Sequence, residues 1–499
     1  MTTTTSEQSL WLRTAPSTAY PSLAQGIHVD VAVVGGGITG LTTALLLKRA
    51  GLRVAVLEAD RIGKGATGNN TAKVSALQAT TYSRITRKHG ADAAAQYAAA
   101  STAGVDLVAA LAAEEGIDCD LRRRPAYTYA IAEAERDAVR AEAEAAERAG
   151  LLSEYQAESD LDVPFPVFGA VRLADQLALH PRKYAIGLAA AVDGDGCVVH
   201  ENSQVVDVEG GEPPLVRTAG GVVRADHVVI ASHYPMLDRG LFFARIEAVR
   251  AYCVAVRLRS GTPPRGLAIS AGSPAWSIAH SGDSLILAGQ SHRTGASDTA
   301  GRYAALEAFA HEHWDVAEVT HRWSAQDGSP YDGLPMIGTY LPGSDWLTVA
   351  TGYQKWGLST GSFAALLLAG HITGQEQPWA RRFSPHRVSL SGLGNLAKMN
   401  ATVARDLVGD RLAPMLDSSD EIPVGGAGMV RDGAGRKAVY RDETGQLHAV
   451  SARCTHLGCL VRFNDQERSW DCPCHGSRFD VDGTVLEGPA GKPLEPRTP

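Results

Sequence analysis

Apolar positions fall into three patterns along the chain. Between 29 and 60, "VDVAVVGGG" is an unbroken apolar run ending in glycines, "GLTTALLLKRAG" has apolar residues at helical spacing, and "LRVAVLEAD" is a second unbroken run. Unbroken runs predict strands buried on both faces, and the helix between them makes a βαβ unit, hence a parallel sheet. Residues 90–116 and 133–150 are rich in alanine and glutamate and predict long helices. "ADHVVIASHYP" (225–235) predicts another buried strand, strands of mixed pattern fill 245–290, and 345–374 reads as strand, glycine-rich loop and helix. Past 424 the pattern changes to short alternating strands, "KAVYRD" and "LHAVSA", around turns such as "DETGQ". Such alternation predicts a small separate β domain.

Composition adds limits. With 499 residues there is room for two to four domains. Net charge is −8 and no long basic run occurs, which excludes nucleic acid as an expected partner. The polar start "MTTTTSEQSLWLRTAPSTAYP" lacks the basic end and apolar core of a signal peptide. "FAALLLAGHI" is too short to span a bilayer, so no transmembrane segment is expected. The expectation is a cytoplasmic protein, with peripheral membrane contact left open. Of seven cysteines, Cys119, Cys197 and Cys253 are scattered and expected to be inert, whereas the other four fall within 454–474.

Gly35, Gly37 and Gly40 form G-x-G-x-x-G around Ile38 and Thr39. The first glycine permits a tight turn, the second lets backbone approach a pyrophosphate, and the third lets helix and strand pack closely. The pyrophosphate then rests on the helix N-terminus. Glu58 ends the next strand, where a carboxylate accepts ribose hydroxyls. These residues predict a dinucleotide without deciding between FAD and NAD.

"VVGGGITGLTTALLLKRAG…VLEADRIGKGATGNNTAKV", with "DGLPMIG" (332–338) and "ATGYQKWGLSTG" (350–361), resembles the D-amino-acid-oxidase/glycine-oxidase superfamily of FAD enzymes. The resemblance implies FAD and an α/β fold: a Rossmann-type FAD-binding domain with an inserted mixed-sheet substrate domain. It implies a lead-in at 1–27 and an oxidoreductase at 28–385, its FAD-binding parts about 28–90, 155–235 and 326–385 and its substrate-domain parts about 91–154 and 236–325. Beyond the glycines and Glu58, it implies cofactor contacts from Thr71, Ala72, Lys73, Val205, Gly333, Gly352, Tyr353, Lys355, Trp356 and Gly357. Lys73, Tyr353 and Lys355 are the implied catalytic candidates at the flavin end. A lysine there stabilises the reduced anion. Arg245, Arg250, Tyr252 and His292 are candidates for touching substrate, with His292, in "GQSHRTG", carried as a catalytic candidate.

"CTHLGC" (454–459) and "CPCHGS" (472–477) combine soft thiolates with imidazoles. Four of these ligands would serve zinc as an N₂S₂ set, leaving two cysteines unused. The two boxes together match the Rieske pattern of the quinol–cytochrome complexes. That resemblance implies a [2Fe–2S] cluster, with Cys454 and Cys472 on one iron and His456 and His475 on the other. It also implies a disulfide between Cys459 and Cys474, a covering loop at "GPA" (488–490), an all-β Rieske domain over 418–499 and a linker over 386–417. One departure bears on potential: Ser477 is kept, but Phe479 stands where the high-potential proteins have tyrosine. One hydrogen bond fewer toward the cluster predicts a potential below the top of the range of about −150 to +300 mV.

Together the motifs resemble bacterial FAD-dependent oxidoreductases with a C-terminal Rieske domain. The expected activity is a dehydrogenase taking hydride from the C–N bond of a small amine or amino acid. Electrons would then pass singly through the cluster to a quinone, ferredoxin or cytochrome type of acceptor. A peroxide-forming oxidase with a secondary Rieske domain, and an electron-transfer or redox-sensing protein without an organic substrate, are the alternatives.

Overall fold

The computed structural model describes residues 5–296, 298–412, 414–433 and 435–499. The apolar runs near the N-terminus form the parallel centre of a mixed sheet. Its order is Met336–Thr339, Leu347–Thr351, Val222–Ile230, Ile27–Val34, Val54–Leu57, Val198–His200. Val31 faces Val54, and Val34 lies between Leu57 and Ile230. Val31, Ala32 and Val33 are fully buried because helices cover one face of the sheet and Val205, Val208 and Val216 pack on the other, which is why these strands read as unbroken apolar runs. Helix Ile38–Arg49 packs against helix Gly357–Thr373, tying the first motif to the last loop of the oxidoreductase.

A second, mixed sheet carries the inserted domain. It runs Val316–Pro330, Ile246–Leu258, Ser284–Arg293, Ser277–Ser281, Leu267–Ser270, Arg122–Tyr129, Ala170–Ala178, Lys73–Val74. This corrects the expected partition in two places. Ser153–Gln156 and Ala170–Ala178 belong to this sheet, not to the nucleotide sheet, because Ala170–Ala178 pairs antiparallel with Arg122–Tyr129. Lys73–Val74 crosses from the nucleotide loop to pair with the same strand.

The expected lead-in is also more ordered than an irregular tail. Its described part contains a short helix, Leu10–Thr14, with Ser9 capping Leu12 and Trp11 buried. Trp11 Nε1 donates to Asn70 O at 2.7 Å, so this segment straps the glycine-rich loop after Glu58.

The expected linker is dominated by helix Leu393–Leu412. Leu396 and Met399 on it pack against the core of the nucleotide domain, and Val403 and Leu407 against the core of the C-terminal domain. That last domain is two antiparallel sheets. One holds Ala427–Asp432, Gly435–Arg441 and Leu447–Ser451; the other holds Arg462–Asn464, Ser469–Asp471, Arg478–Phe479 and Val485–Glu487. Trp470 and Phe479 are fully buried at its centre. Among the described residues, no helix is long and apolar enough to cross a membrane.

Candidate functional site

Two sites lie on opposite sides of one domain contact. The first is built where Ile27–Val34 ends. Gly35 has φ +112°, and a Cβ there would lie 2.5 Å from Ala231 O; a Cβ on Gly40 would lie 2.0 Å from Gly35 O. Only glycine lets this helix approach its strand so closely. Gly37 caps the helix without a side-chain bond, and Ile38 N donates to the Thr67 hydroxyl at 3.1 Å. Glu58 accepts from Gly36 N at 2.7 Å and from Asp60 N at 2.9 Å. Burial raises its carboxyl and those two N–H groups oppose the rise. Val205 starts the strand after Ser203, whose N–H donates to Glu58 O at 2.8 Å. A short cradle of backbone, a helix N-terminus and a strand-end carboxylate fit the pyrophosphate and ribose of a dinucleotide.

The other end of this site is made by loops converging from three parts of the chain. Ala72 (φ +60°) is buried, and its N–H donates to Asn70 Oδ1 at 2.7 Å. Lys73 is buried, with Nζ on the Thr71 hydroxyl at 3.2 Å and on the Ser277 hydroxyl. Burial lowers its ammonium to about 7. Gly333 O accepts from Gln354 Nε2 at 2.8 Å, joining the two later glycine loops. Gly352 (φ +80°) packs against Pro330. Tyr353 OH lies 3.0 Å from the Thr39 hydroxyl, so this ring ties the loop to the dinucleotide motif. Trp356 caps the helix that Gly357 begins. Lys355 (φ +74°) opens to the cleft, with Nζ on the Ser291 hydroxyl; the protein around the cleft desolvates its ammonium and lowers it. Its backbone N–H donates to Asp327, whose carboxyl is raised by burial. The structure thus gathers Thr71, Ala72, Lys73, Gly333, Gly352, Tyr353, Lys355, Trp356 and Gly357 around linked loops.

The four residues proposed for substrate stand elsewhere. Arg245 Nη1 and Nη2 donate to Pro385 O at 2.6 Å and to Gly240 O at 2.7 Å, and its guanidinium lies over Phe242. Arg250 is fully buried against the C-terminal domain, with Glu487 at 2.6 Å and Glu467 at 3.6 Å. Tyr252 OH lies 3.1 Å from His292 Nε2 and accepts from Asn464 Nδ2 at 3.3 Å. His292 stacks on that tyrosine and lies 2.8 Å from Arg293 O through Nδ1. Arg250 and Tyr252 therefore belong to a domain contact, and His292 is held against Tyr252 and the Arg293 carbonyl. The alternating pattern of these strands shows which face is covered but not what covers it.

The second site lies across that contact. Cys454 N donates to Cys459 O, and Cys472 N to Ser477 O, both at 2.8 Å, so each box closes into a tight loop. Cys459 and Cys474 form a disulfide joining the two loops. The sulfurs of Cys459, Cys472 and Cys474 lie within 4.8 Å of one another, but the disulfide removes two of them as thiolate ligands. The neighbouring thiols of Cys454 and Cys472 perturb each other, the first lowered and the second raised. The His456 and His475 rings are 5.0 Å apart. Both Nδ1 atoms are buried without a hydrogen-bond partner. Two orphaned imidazole nitrogens beside two adjacent thiols fit a cluster held by two sulfurs and two nitrogens. Ser477 is buried and its hydroxyl accepts from Ala490 N at 3.0 Å, which seats the "GPA" loop over the box. Phe479 is buried in the same core.

Residues that no sequence pattern singled out complete this site. His456 Nε2 lies 2.7 Å from Asp238 Oδ1, and Phe243 packs edge-on against both histidines. Gln326 Nε2 donates to Gly476 O at 2.9 Å. Asp238, Phe243 and Gln326 belong to the oxidoreductase, and each acquires its role only through docking.

Comparison with known proteins agrees with both halves. A family model described as "FAD dependent oxidoreductase" matches residues 30–370, and one described as "Rieske [2Fe-2S] domain" matches residues 414–497. The chain belongs to the FAD-dependent oxidoreductase family and ends in a Rieske domain; its cofactors are FAD and a Rieske [2Fe–2S] cluster. It is 34% identical over 98% of its length to the "Putative Rieske 2Fe-2S iron-sulfur protein YhfW" of Bacillus subtilis (strain 168), of which 97% is covered. It is 32% identical over 44% of its length to gamma-glutamylputrescine oxidoreductase of Escherichia coli (strain K12), of which 52% is covered. Glycine oxidase from Geobacillus kaustophilus shares the fold: TM-score 0.61 and 24% identity over 72% of this chain and 99% of that one.

Proposed function

We propose that this protein is an amine or amino-acid dehydrogenase that exports electrons singly through its Rieske domain. The observation that carries the reading is the contact between the two sites. Gln326 bonds the second cluster box, and the next residue, Asp327, bonds the loop carrying Tyr353 and Lys355. The oxidoreductase and the Rieske domain therefore form one docked body, with the redox boxes facing inward.

FAD supplies a two-electron acceptor for hydride, and the cluster a one-electron carrier. Each amine oxidised would give up two electrons and two protons; a cluster held by Cys454, His456, Cys472 and His475 would supply a one-electron outlet, and two molecules of a one-electron acceptor would take the two electrons. The protein supplies the rest. Gly35, Gly37, Gly40 and Glu58 hold the dinucleotide end. Lys73, lowered to about 7 by burial, is poised to take the proton of a substrate ammonium near neutral pH, which hydride loss requires. Lys355 places a positive charge at the same cleft. Tyr353, bonded to Thr39, positions the loop. Cys454, His456, Cys472 and His475 are the proposed cluster ligands. The amine class is supported by the kinship with gamma-glutamylputrescine oxidoreductase.

The test is anaerobic mixing with a panel of amines and amino acids while flavin absorbance and the cluster's EPR signal are followed together. The expected result is one amine class that bleaches the flavin, followed by the reduced cluster signal. Bleaching with a cluster that stays oxidised, and peroxide release in air, would move the assignment to an oxidase. A flavin that only protein reductants bleach would move it to an electron carrier.

A further inference from the structure

We infer that Gln326 is a positioning residue for electron transfer between the flavin loop and the cluster, an inference that rests on the internal relay proposed above. Gln326 is 3% exposed, and both ends of its amide and its backbone O are engaged. Its Oε1 accepts from the Thr294 hydroxyl at 2.6 Å, its Nε2 donates to Gly476 O at 2.9 Å, and its backbone O lies 2.9 Å from His233 Nε2. Thr294 is itself buried, with its N–H on Ala248 O at 2.9 Å. Gly476 O can only accept, so it fixes the amide N–H toward the cluster loop and leaves Oε1 for the Thr294 hydroxyl.

Gly476 is the residue after His475, and the surface beneath it has no slack. A Cβ there would lie 2.2 Å from Ala248 Cβ and 3.2 Å from Gln326 Nε2. On the other side Gln326 leads into Asp327, which accepts from Lys355 N in the flavin loop. From His475 to Lys355 the path is covalent backbone and side chain except for two hydrogen bonds, Gly476 to Gln326 and Lys355 to Asp327. Burial strengthens the first of these bonds and makes breaking it costly. An apolar side chain at 326 would leave Gly476 O and the Thr294 hydroxyl unpaired and open the first link. Each transfer takes one electron from reduced flavin and turns one ferric ion of the cluster ferrous. Two such transfers return the flavin to its oxidised state, its protons go to solvent, and an external one-electron acceptor reoxidises the cluster each time.

The experiment is flash photoreduction of the anaerobic holoprotein, with 5-deazariboflavin as photoreductant and EDTA as electron donor. Reoxidation of the flavin and reduction of the cluster are followed optically. In Gln326→Leu the flavin-to-cluster rate is expected to fall at least tenfold, with the cluster's midpoint potential and EPR g-values as in the wild type. Amide hydrogen exchange over 472–478 is expected to rise in the same variant. An unchanged rate in Gln326→Leu carrying both cofactors overturns the inference. Where that variant does not retain its cluster, Thr294→Val is the second test: a several-fold slower transfer supports the role of Gln326, and an unchanged rate overturns it. A wild type that shows no transfer at all overturns the relay itself, a result distinct from equal rates in wild type and variant.

Discussion

At the scale of single residues, environment sets what each group can do. Lys73 is lowered from 10.5 to about 7 by burial. Between these values the unfolded chain binds a proton that the folded chain sheds, so stability rises with pH through this window. Below about 7 both states hold the proton and the penalty is complete. Urea midpoints of the apoprotein are therefore expected to rise from pH 7 to 9 through Lys73, and Lys73→Met to lose that rise. Phe479 makes a second prediction. A hydroxyl added at this buried ring restores one hydrogen bond toward the cluster, about 1 kcal/mol. At 59 mV per tenfold for one electron, Phe479→Tyr is expected to raise the potential by about 40 mV in an EPR-monitored titration. The glycines, Glu58 and both Cys/His boxes were legible because backbone chemistry confines each to a short segment. Asp238 and Gln326 were not, because an isolated aspartate or glutamine carries no local signal.

At the scale of elements, periodicity predicted well where one element has one surrounding. The first strand, its helix and the next strand read directly from unbroken and helical spacing. The close helix–strand contact gives a test: Gly40→Val puts side-chain atoms where Gly35 O already sits. It is expected to cost about 3 kcal/mol in denaturant unfolding and to abolish tight FAD binding. Ala170–Ala178 shows the limit of pattern. Its apolar content suits either sheet, and the choice was made by antiparallel pairing with Arg122–Tyr129. Helix Leu393–Leu412 shows another: it looked like a connection but has one apolar patch for each neighbouring domain.

At the scale of the whole molecule, the decisive feature is the buried contact between domains. Arg250 from the oxidoreductase and Arg478 from the Rieske domain share Glu467 and Glu487, and Arg478 also pairs with Asp471. Removing one partner of such a network leaves buried charge unpaired, which costs about 3–5 kcal/mol. Arg250→Met is expected to release the Rieske domain, seen as a larger radius in solution scattering and faster proteolysis after the helix Leu393–Leu412. Its isolated FAD spectrum is expected to stay as in the wild type, since Arg250 lies outside the dinucleotide cradle.

The sequence by itself determined the two redox modules, their cofactors and their order, because glycine turns and thiolate–imidazole boxes are local chemistry written in consecutive residues. Only the tertiary structure decided which way the modules face. It placed Arg250 and Tyr252 against the Rieske domain, held His292 against Tyr252, and brought Asp238 and Gln326 to the cluster boxes. The physical reason is that a polar residue's role depends on the partner that desolvates it, and here that partner lies up to hundreds of residues away in the chain.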